Sequence, residues 1–231
     1  MTFLLEAEVK HFSVSMALVD YIPVICFAIG AVILLRDLYN KMSKGAFAIF
    51  SAGVIDVTMA GALKATYKLL YALGVCDFTK LDAMFFPVQS IGFLLAGVGI
   101  LAMLVYRQEE KRLNSVALPV MLVAMTAVAP DVFTGTFVFV GLMVAGLGLL
   151  DAVLCILAKK IGKPWLIALY VFSFVCCLGM GYLSSKDFAE ASMNWIAEGV
   201  NVAGQGSLLI GVMLLHKKGL AQLELAGGER A

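Results

Sequence analysis

The chain has 231 residues, 62% of them hydrophobic and only 14% charged, with a formal net charge of +1. A mean hydropathy of +0.98 is too high for a protein whose whole surface meets water, and the charge balance lacks the clustered Lys and Arg of a nucleic-acid footprint. A crossing of about 30 Å of hydrocarbon takes about 20 apolar residues, so this length allows about seven helical crossings and leaves no separate soluble catalytic domain. The expectation is an all-α, polytopic membrane helical bundle forming a single domain over 1–231.

Residues 1–12 carry Glu6 and Glu8 rather than a basic leader, and no small-residue cleavage pattern follows, so the first apolar run reads as a retained helix. Hydropathy predicts helix 1 over Phe12 to Leu35, helix 2 over Ala46 to Gly74 and helix 3 over Ala83 to Tyr106. Helix 4 is short, Ser115 to Ala129, and stops at Pro130. Helix 5 covers Val132 to Ala158, helix 6 Pro164 to Leu183 and helix 7 Ala191 to Leu215.

Basic residues follow helices 1, 3, 5 and 7: Arg36, Lys41 and Lys44, then Arg107, Lys111 and Arg112, then Lys159, Lys160 and Lys163, then Lys217 and Lys218. The other ends hold mainly acids, Asp77, Asp82, Asp131, Asp187 and Glu190 among them. Positive charge marks the cytoplasmic side, which puts the N-terminus outside, the C-terminus inside and the chain in the plasma membrane. The alternation works only with an odd number of crossings.

Residues 88–101, VQSIGFLLAGVGIL, align with 202–215, VAGQGSLLIGVMLL, through Val88/Val202, Gly92/Gly206, Leu95/Leu209 and Gly97/Gly211. The loop NKMSKG at 40–45 likewise resembles KKIGKP at 159–164. Together they predict a parallel 3+1+3 repeat, one of the recognised transporter plans.

Polar side chains inside a spanning helix are costly and are functional candidates by default. With a rise of about 1.5 Å per residue, Asp56 lies about 15 Å from the inner end of helix 2 and Lys64 about 27 Å. On helix 7, Gln205, Asn201 and Glu198 lie at about 15, 21 and 26 Å. Asn194, Glu198, Asn201 and Gln205 follow the spacing that keeps side chains on one face. The expected site is a cavity open outward and sealed inward, lined by Asp56, Lys64, Glu198, Asn201 and Gln205. Asp20 of helix 1 and Gln89 of helix 3 join it, with Tyr67, Tyr71 and Trp195 as aromatic walls or interfacial anchors. Asp151 lies within reach of a loop lysine such as Lys41 and is left out.

Small residues four apart, Gly141 with Ala145, Ser173 with Cys177 and Gly181, and Gly199 with Ala203, are expected to let helix backbones approach. The cysteines Cys26, Cys76, Cys155, Cys176 and Cys177 and the histidines His11 and His216 form no disulfide framework or metal-ligand spacing, and no cofactor is called for.

The seven-helix plan is similar in layout to microbial rhodopsins and SWEET-type sugar carriers. A retinal protein needs a lysine midway along helix 7, however, and none stands there before Lys217. An intramembrane lipid hydrolase would show several buried histidines, which weighs against an enzyme. The leading expectation is a transporter or channel for a small polar or charged solute, with Asp56 taking up a proton. A receptor-like or regulatory subunit comes second and a lipid enzyme third. Compatible partners are the lipid bilayer, a small polar solute or ion, and a second copy or partner subunit.

Overall fold

The computed structural model describes residues 13–105, 136–183 and 191–224. The described residues form helices and no strand: α1 (Val14–Val19), α2 (Tyr21–Leu38), α3 (Lys44–Ala72), α4 (Thr79–Val105), α5 (Thr136–Lys160), α6 (Ile167–Leu183) and α7 (Ala191–Lys217), with short 3-10 turns between some of them. Six stretches are long and apolar enough to cross a membrane, with α1, α2 and the turn after them making one, Val14–Lys41. The expected helix 4, Ser115 to Ala129, and the start of helix 5 lie outside the described residues.

Local sequence explains the punctuation. Pro23 has no N–H to give the carbonyl of Val19, and its ring crowds that position, so the first span breaks at Asp20 between α1 and α2. Ser43 starts α3 by accepting a hydrogen bond from the Ala46 amide at 3.2 Å. Gly162, at φ 73°, ends the α5 corner in a left-handed conformation that other residues rarely adopt, and Pro164 then opens the turn into α6.

Contacts fix the direction of every described span. Gly61 abuts Val24, and Tyr21 bonds Thr66 at 2.7 Å, so α3 runs against α2. Gly99 abuts Phe50 while Gly92 abuts Asp56 and Val57, so α4 runs against α3. Gly148 meets Phe174 and Gly181 meets Val140, setting α6 against α5, and Gly204 meets Cys176 while Gly211 meets Tyr170, setting α7 against α6. Finally, Arg36 and Asp37 bond His216, so α2 and α7 end together. It follows that α2, α4, α5 and α7 all finish at one end, which carries Arg36, Lys41, Lys44, Lys159, Lys160, Lys163, Lys217 and Lys218. α4 and α5 therefore run parallel, α4 ending at the basic end and α5 starting at the opposite one.

Large apolar side chains line the outside at helical spacing: Leu18, Ile22, Ile25, Ile29 and Val32 on α1 and α2, and Val171, Val175, Leu178 and Tyr182 on α6. Buried polar and charged groups lie inside. Exposed apolar stripes around an interior that holds the charges are what a lipid solvent selects, and they mark a multi-pass membrane protein.

Of the expected stripes, Ser173, Cys177 and Gly181 do face a neighbour, Gly181 meeting Val140 of α5, but the closest backbone approach comes from other glycines. Gly53, Gly92 and Gly99 join α3 to α4, and Gly97 and Gly146 join α4 to α5, in positions where a Cβ would strike backbone. Gly141 and Gly199 meet nothing within 4 Å, and Ala145 and Ala203 are exposed. Spacing alone does not say which face of a helix a small residue occupies.

Candidate functional site

Toward the end opposite the basic one, three charges from three separate spans converge. Lys68 Nζ on α3 contacts Asp20 Oδ2 at 2.6 Å and donates to Glu198 Oε1 of α7 at 2.8 Å. The lysine side chain is 6% exposed and each carboxylate side chain 8%, so water screens neither contact. The two carboxyl groups also lie within hydrogen-bonding reach of each other.

Asp20 stands at the break between α1 and α2, with its side chain buried. Lys68 lies about 6 Å from the C-terminal end of α3, Asp20 about 9 Å from the start of α1 and Glu198 about 10 Å from the start of α7. Buried ions each cost several kcal/mol of desolvation, which only close pairing offsets. Here one ammonium is shared by two carboxyl groups, so with both ionised the directly paired trio carries one excess negative charge.

Further polar and aromatic groups stand close to the trio along the same helices. Asn194, one turn before Glu198, is buried, as is Tyr67 beside Lys68, whose ring meets Tyr71 at 6.2 Å. Lys64 Nζ sits over the Phe85 ring at 3.9 Å, an attraction of its charge to the ring's negative face. Tyr21, next to Asp20, ties to Thr66 across the α2 and α3 seam.

The residues singled out from the sequence thus fall into separate groups. Asp20 and Glu198 meet at the ion cluster. Lys64 and Asp56 lie along the α3 and α4 seam, where Phe85 and Gly92 abut them, and helical spacing places Gln89 between those two on the same α4 face. Asn201 and Gln205 continue the inward face of α7 below Glu198, each partly buried. Trp195 is 43% exposed and faces outward, as an interfacial anchor does.

Toward the end opposite the basic one, Asp20, Lys68 and Glu198 bind one another. Below them Phe27, Leu34, Phe50, Val54, Leu150, Leu208 and Val212 belong to the apolar core and line a small apolar pocket.

Sequence reasoning passed over Lys68. It stands four residues after Lys64, and a lysine this close to the helix end ordinarily reaches out to water. The usable signal was the pairing of two lysines at i, i+4 with a carboxylate on each neighbouring span.

At the basic end Lys41 donates to the carbonyls of Ala221 and Leu223 at 2.9 and 2.8 Å, so it is engaged with the chain after α7 and not with Asp151. Among the described residues, no group of three or more His, Cys, Asp or Glu is placed to hold a metal ion. No known protein-family model, curated protein or solved structure matches this chain.

Proposed function

We propose that the chain is an integral membrane transporter or channel for a small polar or charged solute, with Asp20, Lys68 and Glu198 as its outer gate and coupling site. The observation that carries this reading is the single ammonium bound by two buried carboxylates from two other spans. A proton or a cationic group arriving at either carboxylate neutralises the excess charge and loosens that carboxylate's hold on Lys68. The α3 contact to α7, or to the α1 and α2 junction, then opens while the other stays closed. Asn194, Asn201 and Gln205 form the polar track below Glu198, and Asp56, Lys64 and Gln89 form a second one along α4.

The parallel run of α4 and α5 supports a seventh crossing within residues 106–135. The basic end supports a cytoplasmic C-terminus, an outside N-terminus and a plasma-membrane location. The trio α2, α3, α4 and the trio α5, α6, α7 share one orientation, as the 3+1+3 repeat requires.

The test is proton flux in proteoliposomes carrying an internal pH dye, with amino acids, sugars and organic cations added in turn. One class should drive proton movement in the wild type, and Glu198→Gln should abolish the movement while that compound still stabilises the protein thermally. A protein that moves nothing but copurifies stoichiometrically with a partner would replace the transport reading with that of a receptor-like or regulatory subunit. Turnover of a lipid would replace it with an enzyme.

A further inference from the structure

Nearer the basic end, α5 and α6 enclose a second set of buried polar groups. Asp151 is 3% exposed, Ser173 2% and Tyr170 0%. Both Asp151 carboxylate oxygens, Tyr170 Oη and Ser173 Oγ lack a hydrogen-bond partner among the described residues. Ser173 faces Asp151, and Tyr170 and Cys177 of α6 and Cys155 of α5 lie within electrostatic range of it.

No lysine, arginine or histidine of the described residues forms an ion pair with Asp151, the observed pairs being those of Asp20, Asp37 and Glu198. Lys159, further along α5, is exposed, and Lys41 is bound to main-chain carbonyls. The other packing partners bring no charge: α4 has no titratable residue over 83–105, and α7 presents Gly211, whose bare backbone receives the Tyr170 ring, and Ser207, which donates to the Leu169 carbonyl at 2.8 Å.

A carboxylate about 14 Å inside the end of α5, walled by Leu147, Leu150 and Leu154, cannot stay bare in hydrocarbon. We propose that Asp151, Ser173 and Tyr170 form a binding site for a monovalent cation, a proton or a sodium ion, separate from the Asp20, Lys68 and Glu198 cluster. A proton adds to one carboxylate oxygen and converts it to a hydroxyl donor, with Ser173 completing the hydrogen bonding. A sodium ion pairs with the carboxylate and takes the two hydroxyl oxygens as further ligands. One carboxylate among two neutral hydroxyls matches a single positive charge and leaves a divalent ion unneutralised.

Infrared difference spectra of the full-length protein in liposomes test this, with buffer exchanged between low and high pH and then between sodium and choline at fixed pH. If the bound ion is a proton, the pH exchange changes a protonated-carboxyl band that is absent in Asp151→Asn. If it is sodium, the cation exchange shifts a carboxylate band that is absent in the same variant. Ser173→Ala keeps the carboxylate and removes one neighbour, and should move the midpoint of whichever response is seen by about tenfold in cation concentration. Failure of both exchanges to change any band that Asp151→Asn removes, or a Ser173→Ala midpoint equal to wild type, overturns the site. Glu198→Gln should leave these bands in place, so the result stands apart from that for the outer gate.

Discussion

Replacing Lys68 with methionine keeps much of the side-chain volume but leaves Asp20 and Glu198 facing each other, each 8% exposed, with their shared cation gone. Removing one partner of a buried pair costs about 3–5 kcal/mol, and here two carboxylates lose it together. Glu198→Gln is milder: it leaves Lys68 with Asp20 at 2.6 Å, a balanced pair, and forfeits one charge-assisted bond of about 1.5–3 kcal/mol. For a domain of this size about 1 kcal/mol moves the unfolding midpoint by roughly 2–4 °C. Lys68→Met should therefore lower it by roughly 6–20 °C and Glu198→Gln by a fraction of that. Thermal unfolding in detergent, followed by intrinsic fluorescence, reads both. The triple variant Asp20→Asn, Lys68→Met, Glu198→Gln has no orphaned charge and should recover much of the loss. The reasoning fails if Lys68→Met unfolds within about 2 °C of wild type, or if Glu198→Gln costs as much as Lys68→Met.

Three further outcomes are expected. Gly146→Ala puts a methyl group into the backbone of Phe93 and Leu94 and should destabilise by about 1–3 kcal/mol, whereas Gly141→Ala meets nothing within 4 Å and should gain about 0.5–1 kcal/mol of helix propensity; unfolding midpoints of the pair check the contrast. In a chain with its five cysteines replaced, Ser13→Cys should react with an impermeant maleimide on intact cells, and Lys218→Cys only after permeabilisation. Lys41→Met removes the donor to the Ala221 and Leu223 carbonyls and should speed hydrogen exchange over 219–224 by about tenfold, read by mass spectrometry.

Much of the bundle was legible in the residues because hydropathy and length depend on each span's own composition. Six spans fall within a few residues of expectation; α3, for instance, is Lys44–Ala72 against an expected 46–74. The break at Asp20 was missed because Pro23 acts through the carbonyl four residues back, which hydropathy does not register. The stripes expected at Gly141 with Ala145 and at Gly199 with Ala203 were misplaced for a related reason: Gly141 and Gly146 look alike in sequence, and only the position of α4 makes one critical and leaves the other exposed.

Asp20 and Glu198 could be singled out because charge in an apolar run is expensive wherever it occurs. Composition and charge asymmetry alone determined that this is a helical protein made for lipid, and which residues carry the costly polarity. Which polar groups meet was decided by tertiary structure: Lys68 with Asp20 and Glu198, Asp56 against α4, Asp151 beside Ser173. Helix rotation and neighbour choice depend on shape at contacts far apart in the chain, and no local pattern encodes them.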